Sequence, residues 1–159
     1  MSKNETETVW KPHVTVSAVV QHQDRFLLVE ERVGGRVQYN NPAGHLEEGE
    51  SLTAAVRREV REEAARDFHP EVITGIYLWR NADSGKTFLR VSFAGGVSNH
   101  DPEQDLDDGI LRTLWATRDE IASGDLEMRS PLVLQSIDDH LAQRHYPLEM
   151  LNHLPDGDF

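Results

Sequence analysis

The residues with the clearest chemical potential are three glutamates on one short stretch, Glu59, Glu62 and Glu63, within the Gly- and Pro-free segment Ser51–Arg66. On a helical wheel with Leu52 at zero, Glu59 falls at about −20°, Glu63 at about +20° and Glu62 at about −80°. Val56 and Ala55 occupy the same sector, so the carboxylates continue the apolar stripe, while Arg57 and Arg61 take the opposite side. Like charges one turn apart repel even in water, and turned inward they require a neutralising partner. A divalent cation with oxygen ligands is one such partner, and Glu59 with Glu63 is a suitable pair of ligands. The plainer alternative is a surface helix whose glutamates pair with Arg58, Arg61 and Arg66.

Composition narrows the chemistry further. The 159-residue chain contains no cysteine, which excludes disulfides, thiolate metal sites and a cysteine nucleophile. Its formal net charge is −12, so a nucleic-acid polymer would be repelled unless a local basic patch intervened, and none is visible. No apolar run approaches the roughly 18 residues of a membrane span, and the N-terminus has no apolar signal core, so a cytoplasmic location and no membrane partner are expected. An acidic protein can still take phosphorylated substrates if a cation bridges carboxylate to phosphate.

The elements that must position the glutamates are readable in outline. His13–Gln21 and Arg25–Glu30 are β-branched, apolar runs around His22-Gln23-Asp24, the pattern of a hairpin. Gly34-Gly35 marks a turn before a short strand at Val37–Asn40. Ser51 caps the acidic helix, which extends to about Arg66. Val72–Trp79 and Thr87–Val97 form strands joined at Asp83-Ser84-Gly85, with a further strand at Arg112–Ala116. Thr117–Ser123 has capping-box spacing, and Ser130–Arg144 forms a last helix with Pro131 in its first turn. Residues 1–9 form a flexible N-terminus, 10–150 one domain, and 151–159 a loose tail. Strands on both sides of a central helix give an α+β class, an α/β/α sandwich with a mixed central sheet.

Gly44–Arg66, GHLEEGESLTAAVRREVREEAAR, resembles the Nudix box: Gly44, Glu50, Arg58, Glu59, Val60, Glu62 and Glu63 fall on seven of its nine constrained positions. The departures are Ala65 in place of glycine and Arg66 in place of an aliphatic residue. Alanine disfavours a left-handed exit, so the helix is expected to run on past Ala65. WKPHVTVSAVV, NNPAGHLEEGESL, KTFLR, MRSPLVLQSI and RHYPLEM extend the likeness to the NudJ-type phosphatases over roughly Trp10–Met150.

The resemblance implies a Nudix fold and a Mg²⁺-dependent hydrolase, with Mn²⁺ as a possible substitute. It implies release of orthophosphate from nucleoside tri- and diphosphates and from hydroxymethylpyrimidine diphosphate. Glu59 and Glu63 become the principal metal ligands, Glu62 a further ligand or the general base, and the Ala43 carbonyl a possible ligand. Arg58 and Glu50 become a supporting pair, and Gly44 lets the loop backbone approach the metal. The base alternatively comes from Asp105, Asp107 or Asp108 in the acidic segment 101–108, whose plainer role is a solvated loop. Lys86, Arg90 and Arg129 are candidates for phosphate contact; Tyr39, Trp79 and Phe88 are candidates for stacking on a ring. His45 carries no ligand spacing. The partner is a small phosphorylated molecule, and the chain is a monomer or a homodimer. The rival functions are a Nudix pyrophosphohydrolase for an oxidised nucleotide, ADP-ribose or a dinucleoside polyphosphate, and a non-catalytic Nudix-fold sensor.

Overall fold

In the computed structural model, which describes residues 8–155, the elements follow one another as β1 (His13–Val19), β2 (Gln21–His22), β3 (Arg25–Val33), β4 (Arg36–Asn40), β5 (Ala43–His45), α1 (Leu52–Ala64), β6 (Asp67–Arg80), β7 (Thr87–Ser98), β8 (Ile110–Thr117), α2 (Arg118–Ala122), α3 (Leu132–Leu141) and β9 (Tyr146–Pro147), with a 3-10 turn at Leu148–Met150. The expected N-terminal segment 1–9 and tail 151–159 lie partly outside the described residues. Leu151 nonetheless packs against the core, so the tail is anchored where it begins.

Strand alternation gives the core two faces. Val16, Ala18, Val20 and Leu27 point towards Ala55, Val56, Val60 and Ala64 of α1. The neighbours of opposite parity, Val19, Phe26 and Leu28, meet Ile121 of α2 and Val133 and Ile137 of α3. Helices therefore cover both faces, each fully buried Val, Leu or Phe contributing about 1.5–3 kcal/mol. The middle layer comprises two sheets. One has the order β5-β1-β7-β6-β9, and in the other β2, β4 and β8 all pair with β3. The β1–β7 pair is parallel and the remaining named pairs are antiparallel, which makes the first sheet mixed.

Several expectations need correction. The chain breaks its extended run after Val19, and only Gln21–His22 forms the tight hairpin with β3; Gln23 supplies the positive φ that the turn needs. β1 belongs to the other sheet. β6 begins at Asp67 and accommodates Pro70 at an irregularity in its register with β7. The last helix is shorter than expected, Leu132–Leu141, with Pro131 at its N-cap. The Thr117–Glu120 capping box is present.

The end of α1 also differs from expectation. The helix stops at Ala64, and Ala65 itself takes the left-handed conformation, φ 50°, with its N–H donated to Arg61 O at 3.1 Å. The segment that follows β7 folds back over this end. Asp107 N–H donates to Glu62 O at 3.0 Å, Asp101 N–H to Ala65 O at 2.9 Å, and Gln104 Nε2 to Arg61 O at 2.6 Å. These bonds satisfy carbonyls that a helix leaves unpaired, and they offset the cost of placing an alanine where glycine fits better. The acidic loop is therefore a cap on the glutamate helix. Arg66 lies with its guanidinium over the Trp115 ring, 5.9 Å from the centroid, so the cation replaces an aliphatic contact with a cation–π one.

Candidate active site

Ser51 Oγ accepts the Ala54 N–H at 3.1 Å and fixes the start of α1. From that start, the helical phase turns Glu59 and Glu63 inward beside Val56 and Val60, and both carboxylates are buried. Glu62 lies at the rim, its side chain 43% exposed. Burial pushes the Glu63 carboxyl up to about 8, against a hydrogen bond from Ala43 N–H at 2.9 Å and with the charges of Glu59, Glu31 and Asp107 adding to the rise. Burial likewise raises Glu59, partly countered by Arg58. Of the three loop carboxylates considered as a base, Asp107 is the one whose charge acts on both Glu59 and Glu63.

Arg58 organises these groups. Its Nε and Nη2 grip the two oxygens of Glu50 at 3.1 and 2.7 Å, while Nη1 reaches Glu59 Oε1 at 2.7 Å and Glu62 Oε2 at 3.1 Å. Nη2 also donates to the His45 carbonyl at 2.9 Å, so that residue contributes its backbone. The bond from Arg58 holds the Glu50 carboxyl below the usual carboxylate range.

The edge strand β5 completes this wall. Ala18 N–H donates to Pro42 O and Leu46 N–H to Val14 O, both at 3.0 Å. In the register of β1 with β5, Ala43 opposite Ser17 is then a position whose N–H and C=O both point away from β1. The N–H meets Glu63, and the carbonyl leaves on the same side. A Cβ at Gly44 would land inside the Glu59 carboxyl group; glycine is required there for close approach.

Gly44 and Glu63 line one end of a cleft of about 580 Å³. Its floor is the polar end of the first sheet, where Thr15, Phe88 and Arg90 share a face; Trp79, the cross-strand partner of Phe88, stacks on it at 5.8 Å. Lys86 lies in the lining of the cleft, as does Arg129. The backbone of residues 127–129 is stitched to β4, with Tyr39 N–H donated to Glu127 O and Arg129 N–H to Tyr39 O, which places Arg129 in this lining. Lys86, Arg90, Arg129, Trp79 and Phe88 are thus brought together. Tyr39 is not: Gln38 and Asn40 face the cleft, so Tyr39 between them points to the other side, where its hydroxyl donates to Glu30 at 3.2 Å. Asp105 and Asp108 are exposed and make no contact with the glutamate group among the described residues.

Sequence reasoning missed Glu31. It is buried at the far end of β3, lines the cleft, and sits 2.8 Å from Arg129. Its parity with Leu27 and Val29 was the available signal, since residues two apart on a strand share a face.

A family model described as the NUDIX domain matches residues 11–136. The chain belongs to the Nudix family. Phosphatase NudJ of Escherichia coli K12 is 38% identical to this Nudix hydrolase over 151 residues, covering 95% of this chain and 94% of that one. A solved NUDIX hydrolase from Nitrosomonas europaea is 48% identical, covers 91% of this chain and 98% of its own, and superposes with a TM-score of 0.88. A MutT NUDIX hydrolase from Burkholderia pseudomallei, at 16% identity and a TM-score of 0.70, shares the fold. In the Nudix hydrolase described here, α1 is the box helix, and the acidic and cationic walls of its cleft suit the hydrolysis of phosphoric anhydrides.

Proposed function

We propose that this Nudix hydrolase is a Mg²⁺-dependent phosphohydrolase that releases orthophosphate from nucleoside di- and triphosphates and from pyrimidine-alcohol diphosphates. The observation that carries the reading is that buried Glu63 lines a cleft that Arg90, Lys86 and Arg129 also line, with buried Glu59 one helical turn away behind Gly44 of the same lining. The similarity to a phosphatase over nearly the whole of both chains supports it.

The donor set fits a hard divalent cation. Glu59, Glu63, Glu62 and the Ala43 carbonyl offer only oxygens, and Gly44 admits the Glu59 carboxyl to the place that a Cβ would take. Among the described residues no three acidic or histidine side chains are gathered closely enough to cage an ion; Arg58 instead holds Glu59 and Glu62. Bound among these oxygens, Mg²⁺ or Mn²⁺ would draw charge from the substrate's phosphate and acidify nearby water. Glu50 fixes Arg58, and Arg58 orients the carboxylates, a supporting role of the kind that tunes ligand position. Glu62 at the rim and Asp107 of the capping loop are the two groups positioned to take the proton from an attacking water. Lys86, Arg90 and Arg129 offset charge on the equatorial oxygens in an in-line displacement.

A ³¹P NMR time course on a nucleoside diphosphate and triphosphate, with and without Mg²⁺, tests this. Orthophosphate appearing from both only with metal is the expected result. Pyrophosphate from the triphosphate alone would overturn the proposed product, and no turnover of either would overturn the proposed substrates.

A further inference from the structure

The sheet face covered by α3 carries a second cavity, of about 390 Å³, whose polar lining the phosphate chemistry does not use. Two imidazoles meet there. His140, in the last turn of α3, has its Nδ1 3.0 Å from Nε2 of His145. The approach depends on Gln143, whose left-handed φ of 59° doubles the chain back after the helix, with Arg144 N–H donated to Asp139 O at 3.0 Å. A side-chain-bearing residue held in that conformation is strained.

The surroundings decide which nitrogen of His140 is available. Gln21 Nε2 donates to Gln23 O at 2.7 Å, so Gln21 turns its Oε1 towards His140 and accepts from Nε2–H at 3.0 Å. With the proton on Nε2, His140 presents the Nδ1 lone pair to His145. Burial, and then the charge of His145, hold His140 below the usual imidazole range, so the ring is neutral at neutral pH.

An irregularity of β6 aims a carboxylate at the same cavity. Pro70 pairs with Gly95 and Val72 with Ala94, which leaves Glu71 as the extra residue of a β-bulge. Bulges re-aim side chains, and Glu71 and Val72 both line the cavity although they are consecutive. Glu71 is exposed and makes no hydrogen bond or ion pair among the described residues; its Oε1 rests 4.0 Å from the place a Cβ on Gly96 would take.

We propose that His140, His145 and Glu71 form a second metal site, for a borderline-soft divalent cation of the zinc class. Imidazole nitrogen favours such ions over Mg²⁺, and two histidines with one glutamate leave a fourth position to water. Nitrogens bound to one tetrahedral zinc ion stand about 3.3 Å apart, so the pair opens only slightly, and His145 moves its proton from Nε2 to Nδ1. Glu71 completes the set by turning about its own side-chain bonds. Gln21 is the outer partner that sets the tautomer of a ligand. The ion clips the end of α3 to β6, beside the residues Val72 and Ile73 that pair with β9. The site is independent of the phosphohydrolase reading.

Titration of the untagged full chain with Co²⁺, read by visible absorption with Mg²⁺ in large excess, tests it. Mg²⁺ competes for the all-oxygen glutamate site, and tetrahedral Co²⁺ with nitrogen ligands absorbs far more strongly than octahedral Co²⁺ among oxygens. A strong band that saturates at one equivalent and is displaced by Zn²⁺ is the expected result. His145→Ala and Glu71→Gln should each weaken binding by more than about tenfold, the least expected when even a supporting group is lost, and Gln21→Ala by about tenfold with the band retained. His145 is half-buried and Glu71 exposed, so both replacements leave the fold intact, which circular dichroism checks. The other histidine pair, His13 Nδ1 with His45 Nε2 at 3.0 Å, supplies the control: His13→Ala should leave the band unchanged. No strong band in the wild type, full affinity in either folded ligand variant, or loss of the band in His13→Ala would overturn the site.

Discussion

Arg58 and Glu50 meet side-on through two nearly parallel bonds, Nε to Oε2 at 3.1 Å and Nη2 to Oε1 at 2.7 Å. The contact joins the residue just before the α1 N-cap to the second turn of the helix and fixes the guanidinium whose remaining nitrogen faces Glu59 and Glu62. Glu50→Gln keeps the shape but removes the charge and one acceptor, so Arg58 should lose its register. Activity should fall by about 10–100-fold, the range for a residue that orients metal ligands. Arg58→Lys should do at least as much damage, because an ammonium cannot form the fork. Steady-state kinetics beside a circular-dichroism melt would check both, with kcat falling more than the melting temperature.

Ala65 provides a second test. A left-handed alanine costs about 1–2 kcal/mol over glycine. Replacing it with glycine relieves that strain, yet forfeits a fully buried methyl worth about 0.8 kcal/mol and adds unfolded-state entropy of about 0.4–1 kcal/mol. The terms nearly cancel, so Ala65→Gly should leave the melting temperature within about 2–4 °C of wild type, the shift for 1 kcal/mol in a chain this long. Ala65→Val has no such compensation: a β-branched side chain at φ 50° in a closed site should lower the melting temperature by well over that amount. Thermal unfolding of the two variants decides it.

The glutamate helix was legible because its phase is local: Ser51 fixes the start, and 100° per residue then places Glu59 and Glu63 with Val56. The turn at Gly34-Gly35 and the Thr117–Glu120 box were legible for the same reason. What the sequence concealed depends on distant partners. The parallel pairing of β1 with β7 joins residues more than seventy positions apart. β5 is three residues long and exists because β1 lies beside it. Tyr39 has an ordinary stacking residue's chemistry, and only the parity of β4 turns it from the cleft. Glu31 ends an apolar run and gains meaning only when Arg129, nearly a hundred residues later, is laid against it.

The buried Glu63 carboxyl has a consequence for stability without metal. Its pKa is raised to about 8 in the folded protein, above the ordinary carboxylate value near 4.5 that applies when unfolded. The folded state therefore binds the proton more tightly across that window, and its stability falls as pH rises from about 4.5 to 8. Glu63→Gln removes this contribution, so the metal-free variant should melt higher than metal-free wild type at pH 8 and differ little from it at pH 5. Because a ligand must be deprotonated, Mg²⁺ should raise the wild-type melting temperature more at pH 8 than at pH 6, and the variant much less at either. Melting curves with a chelator and with added Mg²⁺, at three pH values, would show a slope difference between the proteins; parallel curves would contradict the buried, protonated carboxyl.

Gly44 in β5 and Gly49 in the turn that follows it lie five residues apart and are glycine for different reasons, so alanine should injure them differently. Gly44 has no positive φ, and alanine can adopt its backbone; the obstacle is the Glu59 carboxyl, which occupies the place of the new methyl. In Gly44→Ala that carboxyl must leave Arg58 and its place beside Gly44. Activity should drop by about a hundredfold, at the upper range for disturbing a ligand's support, with little change in melting temperature because β5 is a short edge strand. Gly49 has φ +83° and open space around it. Gly49→Ala touches nothing but strains the backbone, and it should lower stability by about 1 kcal/mol while activity stays close to wild type. Melting temperature and kcat/KM measured on the pair should therefore separate in opposite directions. If Gly44→Ala lost stability and kept activity, Glu59 would not be where the chemistry needs it.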